Sequence, residues 1–464
     1  MIDPSSEIVD LTPLECTFLP KRSATPVAMF PRVAATPSTS VTAIPAITST
    51  TSGATSIFPN SSLPTGVGCL KDFAHLLENE LVNDILPFWT SKMTDVNGGF
   101  YGRMDGKGIV RHEAEKGAIM NARILWTFAA AYRITGAEAC RDTASRAFGY
   151  IRNHFLDNEY GGLFWSLNPD GTPKDTRKQF YAIAFAIYGL AEYYRATGEA
   201  QSLEIAISLF SSIEEHSLDR GLGGYLEACT RDWGVIEDMR LSDKDQNDAK
   251  TMNTHLHILE AYTALYRVWG DETLASALRG LIEIFIDRII QPDGHLGLFF
   301  GEDWSLHSTM VSYGHDIEAS WLLCEAAEVL GDGNLLARVR EISGKVAAAS
   351  MEGYTEDGGM EYEYDPVTGR RNSSRDWWVQ AETVVGCVNQ YQLTGDDIWK
   401  ERALSEWNFI RRNIICPEGE WYWSALPDGR GGFTPNKADD RAGFWKCPYH
   451  NGRMCMEIME RNSF

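Results

Sequence analysis

The chain of 464 residues has few of the features that mark membrane proteins or nucleic-acid-binding proteins. It contains no run of about 18 apolar residues, so we expect no segment to span a membrane. It has 42 basic against 64 acidic residues, a net charge of −22, and no Lys/Arg block dense enough to follow a phosphate backbone. We therefore expect neither nucleic acid nor an anionic membrane as a partner.

A paired set of cysteines is also missing. The nine cysteines are odd in number, scattered along the chain, and mostly placed within apolar helical patterns such as Leu322-Leu323-Cys324. Free buried thiols in a reducing compartment explain this distribution best, which predicts a cytoplasmic protein.

A long segment near the start of the chain lacks acidic residues. Residues 16–71 contain no Asp or Glu, only four basic residues, and long Ser/Thr/Pro tracts. Such a segment buries too little apolar surface to offset its chain entropy, so residues 1–69 are predicted to be a disordered extension and residues 70–464 the folded domain. The extension has no apolar core of a secretory signal; its composition fits an organelle transit peptide or a dispensable tail.

What the chain does have is a repeat. A Gly-Gly or Gly-x-Gly motif beside an aromatic or long apolar residue recurs with its second glycine at Gly99, Gly162, Gly224, Gly297 and Gly359, in steps of 63, 62, 73 and 62 residues. A degenerate sixth copy, Gly419-Glu-Trp421, follows. Self-similarity at a fixed period indicates repeated supersecondary units.

Each repeat contains two long stretches with apolar residues at three- and four-residue intervals, and the first stretch is apolar almost all round. This pattern predicts helix, turn, helix and short hairpin, with an inner ring of helices inside an outer amphipathic ring. Six such pairs predict an all-α (α/α)6 barrel with short β-hairpins at one rim. An open solenoid is the alternative, but neither end shows a polar capping repeat.

The stretch from Ser312 to Leu323 combines this helical pattern with titratable residues. His315 and Glu318 are three residues apart on one helix face, and a carboxylate beside an imidazole orients the ring and raises its basicity. We therefore expect Glu318 to support His315 in proton transfer. A helix start with acidic residues placed for its dipole is the simpler alternative.

Two further stretches place histidines on inner helices. Asn253, His257 and Glu260 fall on one face of a helix, whereas His255 points elsewhere, so the first two are expected to face a polar cavity or to pair with each other. His450 follows Trp445-Lys-Cys-Pro at the start of the last helix, the place that corresponds to His315. Cys447-x-x-His450 lacks a second Cys/His pair, so no metal is expected.

Aromatic residues accompany these histidines. Trp378 and Glu382 lie one turn apart, and Arg123 precedes Trp126 by three positions. Tryptophan faces stack on sugar rings while arginine and carboxylate groups bind hydroxyls, which is typical of a carbohydrate cleft. Packing in the core is the expected role of Trp126, Trp321 and Trp421.

Four strings carry a family resemblance: Met252-Asn-Thr-His-Leu-His-Ile-Leu-Glu-Ala-Tyr-Thr, Gly314-His-Asp-Ile-Glu-Ala-Ser-Trp-Leu-Leu, Trp377-Trp-Val-Gln-Ala-Glu and Trp445-Lys-Cys-Pro-Tyr-His-Asn-Gly-Arg. They resemble the N-acylglucosamine 2-epimerase superfamily, and within it they are most similar to the cellobiose 2-epimerases. The likeness runs from Leu70 to the C-terminus, in family order and spacing. It implies an (α/α)6 barrel that inverts C2 of the reducing-end glucose in β-1,4-linked disaccharides, with neither metal nor nucleotide cofactor.

The resemblance also implies roles for single residues. His315 and His450 correspond to the family's two acid/base histidines, and His257 corresponds to its third active-site histidine. Arg123 matches the arginine that contacts the substrate oxygens. The other matched positions, expected to bind substrate or line its cleft, are Tyr181, Asp245, Asn253, Glu318, Trp378, Glu382 and Trp445.

The chemistry of C2 epimerisation agrees with this assignment. The enzyme must open the sugar ring, remove a weakly acidic proton beside the carbonyl, and return a proton to the opposite face, which requires two bases on opposite sides. Histidine titrates near neutral pH and can act as base in one half-reaction and acid in the other. We hypothesise that Arg123 and His257 stabilise the cis-enediolate between the two steps.

Three other functions stay open at this stage. An α/α-barrel glycoside hydrolase would use Glu318 and Glu382 as its carboxyl pair but would leave three histidines without a role. N-acylglucosamine 2-epimerase and mannose isomerase share the expected barrel and differ in loops. A non-catalytic binding module is the third alternative. A monomer and a homodimer are both compatible with the sequence.

Overall fold

The computed structural model describes residues 70–461, so the extension predicted over residues 1–69 lies outside the described part. Its α-helices are α1 (Leu70–Glu80), α2 (Leu86–Lys92), α3 (Ala118–Thr135), α4 (Glu138–Tyr150), α5 (Phe180–Thr197), α6 (Ala200–His216), α7 (Met252–Val268), α8 (Glu272–Ile284), α9 (Tyr313–Leu330), α10 (Gly333–Ser350), α11 (Trp377–Thr394), α12 (Asp397–Asn413) and α13 (Tyr449–Arg461). Five-residue π-helical turns continue three of them: Leu81–Ile85 joins α1 to α2, Ile151–Phe155 follows α4, and Phe285–Ile289 follows α8.

Six of these helices form a closed inner ring. In the order α3, α5, α7, α9, α11 and α13 each packs against the next, and α13 packs back against α3. Their sequences explain this position: in α5, for example, every residue from Phe180 to Tyr193 is buried, as expected of a helix enclosed on all sides. The contact between α13 and α3 closes the barrel and rules out the open solenoid for the described residues.

An outer ring covers the inner one. The outer helices α4, α6, α8, α10 and α12 each pack on the inner helix that precedes them in the chain. The sixth pair joins the two ends of the domain, because α1 packs on α13. The predicted (α/α)6 barrel is therefore confirmed, with one pair assembled from its first and last helices.

Short antiparallel strands lie at one rim of the barrel. They are β1 (Lys116–Gly117), β2 (Ser166–Leu167), β3 (Pro173–Asp175), β4 (Lys178–Gln179), β5 (Ala228–Cys229), β6 (Lys250–Thr251), β7 (Phe299–Phe300), β8 (Val311–Ser312), β9 (Glu363–Asp365), β10 (Arg370–Asn372), β11 (Arg375–Asp376), β12 (Ser424–Pro427) and β13 (Phe433–Pro435). Strands β1, β4, β6, β8 and β11 each run directly into an inner helix and pair with a strand of the next hairpin. The rim therefore fixes where the inner helices begin. We call the space between these first turns and the hairpins the cup.

Buried ion pairs attach the hairpins to the inner helices. A lysine just before the helix donates to a hairpin carboxylate at 2.7–2.9 Å in four repeats: Lys116 to Asp95, Lys178 to Asp157, Lys250 to Asp219 and Lys446 to Glu420. The four lysines are at most 2% exposed. Removing one partner of such a pair leaves an uncompensated buried charge, which costs about 3–5 kcal/mol.

The second glycine of the hairpins makes room for the neighbouring repeat. A Cβ at Gly162 would lie 2.7 Å from the Trp233 ring, and one at Gly224 would lie 2.4 Å from the Trp304 ring. Both tryptophans adopt positive φ, 66° and 67°, a conformation that costs about 1–2 kcal/mol for a residue with a Cβ. At these two positions the glycine repeat found in the sequence thus marks a contact between adjacent hairpins.

The remaining sequence predictions for the described part concern cysteines and membranes. The seven described cysteines, Cys140, Cys229, Cys324, Cys387, Cys416, Cys447 and Cys455, are all buried and unpaired with one another, as predicted. Among residues 70–461, no helix is both long and apolar enough to cross a bilayer.

Candidate active site

The three candidate histidines enter the cup from three different inner helices. His315 and His450 lie in the first turns of α9 and α13, and His257 lies in the second turn of α7. The ring centroids of His315 and His450 are 4.7 Å and 5.7 Å from that of Trp378. One indole therefore contacts both imidazoles, which places the two histidines in a common pocket.

His450 is oriented by a carboxylate from another helix. Its Nδ1 lies 2.7 Å from Oε1 of Glu382 on α11, so Nδ1–H donates to the carboxylate and Nε2 is left for proton transfer. Burial, together with the charges of Arg123 and Arg453, holds the pKa of His450 well below its usual range. The ring is therefore neutral near pH 7.

His315 has a different partner from the one the sequence indicated. Its Nδ1 lies 2.8 Å from the hydroxyl of Ser312, the residue before α9, while Glu318 binds Arg453 instead. The prediction that Glu318 orients His315 is wrong, because the guanidinium of a facing helix attracts the carboxylate more strongly than a neutral imidazole does. Burial lowers the pKa of His315 to about 3, so this ring too is neutral.

The His–Glu pair at helical spacing occurs on α7. Nδ1 of His257 lies 2.9 Å from Oε2 of Glu260, three residues later, and its ring packs against Tyr181 and Phe185 at 4.9 Å and 4.6 Å. Burial lowers the pKa of His257. His255 points away, with its ring nitrogens bound to Thr251 O and Tyr225 N–H, as the sequence predicted.

Beneath the histidines lies a buried cluster of one arginine and three glutamates. Nη2 of Arg453 donates to Glu318 at 2.6 Å and to Glu382 at 2.7 Å, and Nη1 donates to Glu260. Arg453 is completely buried. Two of these carboxylates bind His257 and His450, so one guanidinium fixes the orientation of both rings.

This role of Arg453 was not predicted from the sequence, although the residue stands in the last of the four strings. A signal was available: Arg453 is three residues after His450, on the same face of an inner helix, where an arginine needs a buried carboxylate as partner. Burial and the Glu382 charge act to raise the pKa of Glu318, and the Arg453 charge acts to lower it. Burial acts to raise the pKa of Glu260 as well, but Arg453 and His257 outweigh it and the pKa is lowered.

Arg123 occupies the α3 side of the cup. Its Nη2 donates to the Tyr181 hydroxyl at 2.9 Å and its Nη1 to the Trp445 carbonyl at 3.4 Å. The guanidinium carbon lies 4.1 Å from the Phe185 ring centre. Nε of Arg123 is buried and, among the described residues, has no hydrogen-bond partner. The sequence prediction that Arg123, Tyr181 and Trp445 share one site agrees with these contacts.

Asn253 and Asp245, both predicted to bind substrate or line its cleft, have different surroundings. Oδ1 of Asn253 is buried and has no hydrogen-bond partner in the described part of the chain, so this acceptor is available at the start of α7. Asp245 accepts from the backbone and hydroxyl of Ser242 within its own loop. Burial and neighbouring carboxylates, Asp245 among them, raise the pKa of Glu363 to about 7. Asp245 thus belongs to an acidic segment of the rim.

The two carboxylates whose atoms could bind a metal ion are already bound to a cationic side chain, Arg453. Ligand atoms of Glu318, Glu382 and His450 lie within 4.8 Å of one another, the one such group among the described residues. Both carboxylates bind Arg453, whose single positive charge offsets part of their negative charge. Cys447, for which the sequence predicted no metal, is buried beside Arg123, whose charge acts to lower the thiol pKa against the larger opposite effect of burial.

The chain is similar to a known protein family over most of its length. Residues 99–440 match the family model described as N-acylglucosamine 2-epimerase (GlcNAc 2-epimerase). The chain is 53% identical over 386 residues to the cellobiose 2-epimerase of Bacteroides fragilis, covering 82% of this chain and 97% of that protein.

The chain is also similar to a solved structure and to a more distant relative. The cellobiose 2-epimerase of Bacillus thermoamylovorans superposes with a TM-score of 0.80 at 38% identity, over 84% of this chain and all of that one. The D-mannose isomerase of Thermobifida fusca is 25% identical over 364 residues, 70% of this chain and 84% of that protein. The similarity is therefore much greater to the two epimerases than to the isomerase.

Proposed function

The chain belongs to the N-acylglucosamine 2-epimerase family, and from that premise we propose that it is a cellobiose 2-epimerase. The reaction inverts C2 of the reducing-end glucose in a β-1,4-linked disaccharide and gives the mannose epimer. The observation that carries the proposal is the contact of His315 and His450 with the same indole, Trp378.

The two histidines supply the pair of bases that the reaction needs. His315 and His450 come from different helices, and each binds a polar group through Nδ1, so each presents Nε2 as the proton-transferring atom. Both rings are neutral because burial lowers their pKa. The base on one face of C2 removes the proton, and after rotation about C2–C3 its counterpart returns a proton to the other face.

The intermediate carries negative charge on O1 and O2. Arg123 is a fixed, fully buried cation with an unpaired Nε, and His257 is held by Glu260. Preorganised donors of this kind stabilise developing charge at little reorganisation cost. We assign them to the cis-enediolate, with Asn253 as a further hydrogen-bonding group and Trp378 and Trp445 as stacking surfaces for the sugar rings.

The contacts of the carboxylates disfavour the hydrolase alternative. A glycosidase needs two carboxyl groups that flank the scissile bond. Here Glu318 and Glu382 are at most 1% exposed and bind the same Nη2 of Arg453. They support the histidines from below and do not face each other across a cleft. The hydrolase and the binding module remain measurable outcomes of the test below.

Substrate specificity can be tested directly. The protein is incubated in heavy water with cellobiose, lactose, mannose or N-acetylglucosamine, and the sugars are separated by chromatography and analysed for deuterium at C2. We expect glucosyl-mannose from cellobiose, with deuterium at C2. Conversion of N-acetylglucosamine or mannose alone would favour the two related enzymes, released monosaccharides would indicate a hydrolase, and no deuterium in any sugar would indicate a binding module.

A further inference from the structure

The sixth hairpin differs from the first three at one backbone position. Gly99, Gly162 and Gly224 occupy it with φ between 62° and 81°. In the sixth hairpin the same position holds Glu420 with φ of 64°. A side chain is disfavoured in this conformation, so its presence where other repeats have glycine indicates that the carboxylate has a use.

The hydrogen bond between the hairpin and the inner helix also has its donor and acceptor exchanged in the sixth repeat. In the third, fourth and fifth repeats the fourth residue of the inner helix binds the hairpin backbone: His255, Asp316 and Gln380 accept hydrogen bonds from the backbone N–H of the hairpin. The residue of α13 that corresponds to Asp316, the one directly after the histidine, is Asn451, whose Nδ2 donates a hydrogen bond and does not accept one from the hairpin backbone. The hairpin must therefore supply the acceptor group that connects it to α13.

Glu420 supplies that group. Its Oε1 accepts hydrogen bonds from Lys446 Nζ at 2.7 Å, from Asn451 Nδ2 at 2.6 Å and from the Trp421 backbone at 2.9 Å, and its Oε2 accepts from Trp89 Nε1 at 2.6 Å. Glu420 is fully buried. The side chain thus holds one residue before the start of α13 and one in its first turn, on either side of His450.

We propose that Glu420 is a positioning residue that sets the first turn of α13 and thereby the place of the His450 imidazole. It does not face the reacting carbon. Asn451 follows His450 directly, and the Lys446 ammonium also lies over the ring of Trp377, whose centroid is 6.3 Å from that of His450. Loss of the carboxylate releases both connections while the contacts of His315 on α9 stay intact.

This proposal rests on the proposed epimerase function, and its main test separates one histidine from the other. In heavy water, a displaced His450 still allows His315 to remove a proton from one epimer and return deuterium to the same face. Deuterium then enters that substrate without inversion. In Glu420→Gly, which relieves the backbone, we expect the ratio of exchange to inversion to rise at least about 10-fold for one epimer only.

Three variants complete the series. Glu420→Gln keeps an acceptor of the same length and should restore part of the wild-type ratio. Asn451→Ala removes the contact with α13 but keeps the Lys446–Glu420 pair, and should raise the ratio even if Glu420→Gly does not fold. The matched control is Asp95→Asn, which weakens the equivalent buried pair with Lys116 in the first repeat and should lower stability without changing the ratio.

A second measurement does not depend on sugar chemistry. Diethyl pyrocarbonate modification of His450 and His315 is followed by peptide mass spectrometry in the wild type, Glu420→Gln and Asn451→Ala. We expect the His450 rate to change severalfold relative to His315 in Asn451→Ala and less in Glu420→Gln. The positioning role of Glu420 is overturned if the modification rate of His450 relative to His315 does not change, or if the variants lose deuterium exchange and inversion equally. If the wild type shows neither exchange nor inversion, the proposed epimerase function is wrong, and the positioning role is judged from the modification rates alone.

Discussion

The six inner helices begin among polar atoms that are still available and end among charges that neutralise one another. At the cup, Asn253 Oδ1 and Arg123 Nε have no hydrogen-bond partner among the described residues. At the opposite end a cavity of about 390 Å³ is lined by ion pairs such as Arg133–Glu192 and Arg267–Glu325. Charges at the far end are paired with one another, whereas these polar atoms at the cup are available for further hydrogen bonds.

Helix direction explains the difference. Arg133, Arg195, Arg267 and Arg461 stand in the last turns of α3, α5, α7 and α13, where a cation interacts favourably with the helix dipole and with the free carbonyls. Glutamates of neighbouring helices then complete the ion pairs. The first turns of α7, α9 and α13 carry the polar residues Asn253, His315 and His450 instead.

The largest expected effect belongs to the acid/base pair at the cup. His315→Ala or His450→Ala should lower the rate of epimerisation at least about 10³-fold, because each removes one of the two proposed proton-transfer groups. Product formation by chromatography measures the rate, and a thermal melt close to that of the wild type shows that the barrel is intact. Turnover near the wild-type rate in either variant would exclude that histidine from the chemistry.

A smaller effect is expected from the groups that orient the two rings. Glu382→Gln removes the charge beside Nδ1 of His450 and should lower kcat on the order of 10²-fold. Ser312→Ala removes one neutral hydrogen bond to His315, worth ~1 kcal/mol, and should lower kcat about 5-fold. Equal losses would mean that the carboxylate adds nothing beyond a hydrogen bond.

The epimerase activity should change little as the pH falls below neutrality. A base must be unprotonated, and burial lowers the pKa of His315 to about 3 from the ordinary value near 6.5. As pH falls, activity should therefore stay nearly constant from pH 8 to about 5 and not halve near 6.5. Initial rates in buffers of constant ionic strength measure this, and a midpoint near pH 6.5 would contradict the burial of the rings.

The smallest effect on activity is expected at the far end of the barrel. Arg133→Met removes hydrogen bonds to Glu192 and Glu460, and it should lower the free energy of unfolding by about 2 kcal/mol with kcat unchanged. Denaturant unfolding and initial rates measure the two quantities. A large loss of kcat here would mean that the two ends are coupled, and the comparison would fail.

The sequence predicted the barrel well because its evidence is periodic. Glycine motifs 62 to 73 residues apart and inner helices apolar all round follow from local backbone geometry and burial, which each repeat expresses separately. The predicted core positions of Trp321 and Trp421 are likewise confirmed, at 1% and 0% exposure. Closure of the inner ring, by the contact of α13 with α3, agrees with the six predicted pairs.

Partners within the site were predicted less well. Glu318 was assigned to His315 because residues three apart on a helix are neighbours, but Ser312 binds that ring and Arg453 binds the carboxylate. Helical spacing describes one helix, whereas the cup is built by six. Where a buried cation on another helix competes for a carboxylate, the ion pair prevails over the nearer neutral ring.

The sequence by itself determined the number of repeats and the fold, since these depend on residue type and period, and its family resemblance predicted the acid/base residues. Only the tertiary structure decided which carboxylate orients which imidazole, that Arg453 joins three glutamates, and that Glu420 replaces a hairpin glycine. Such pairings join residues far apart in the chain, as Glu382 and His450 are, and distances between separate helices are fixed only when the ring closes.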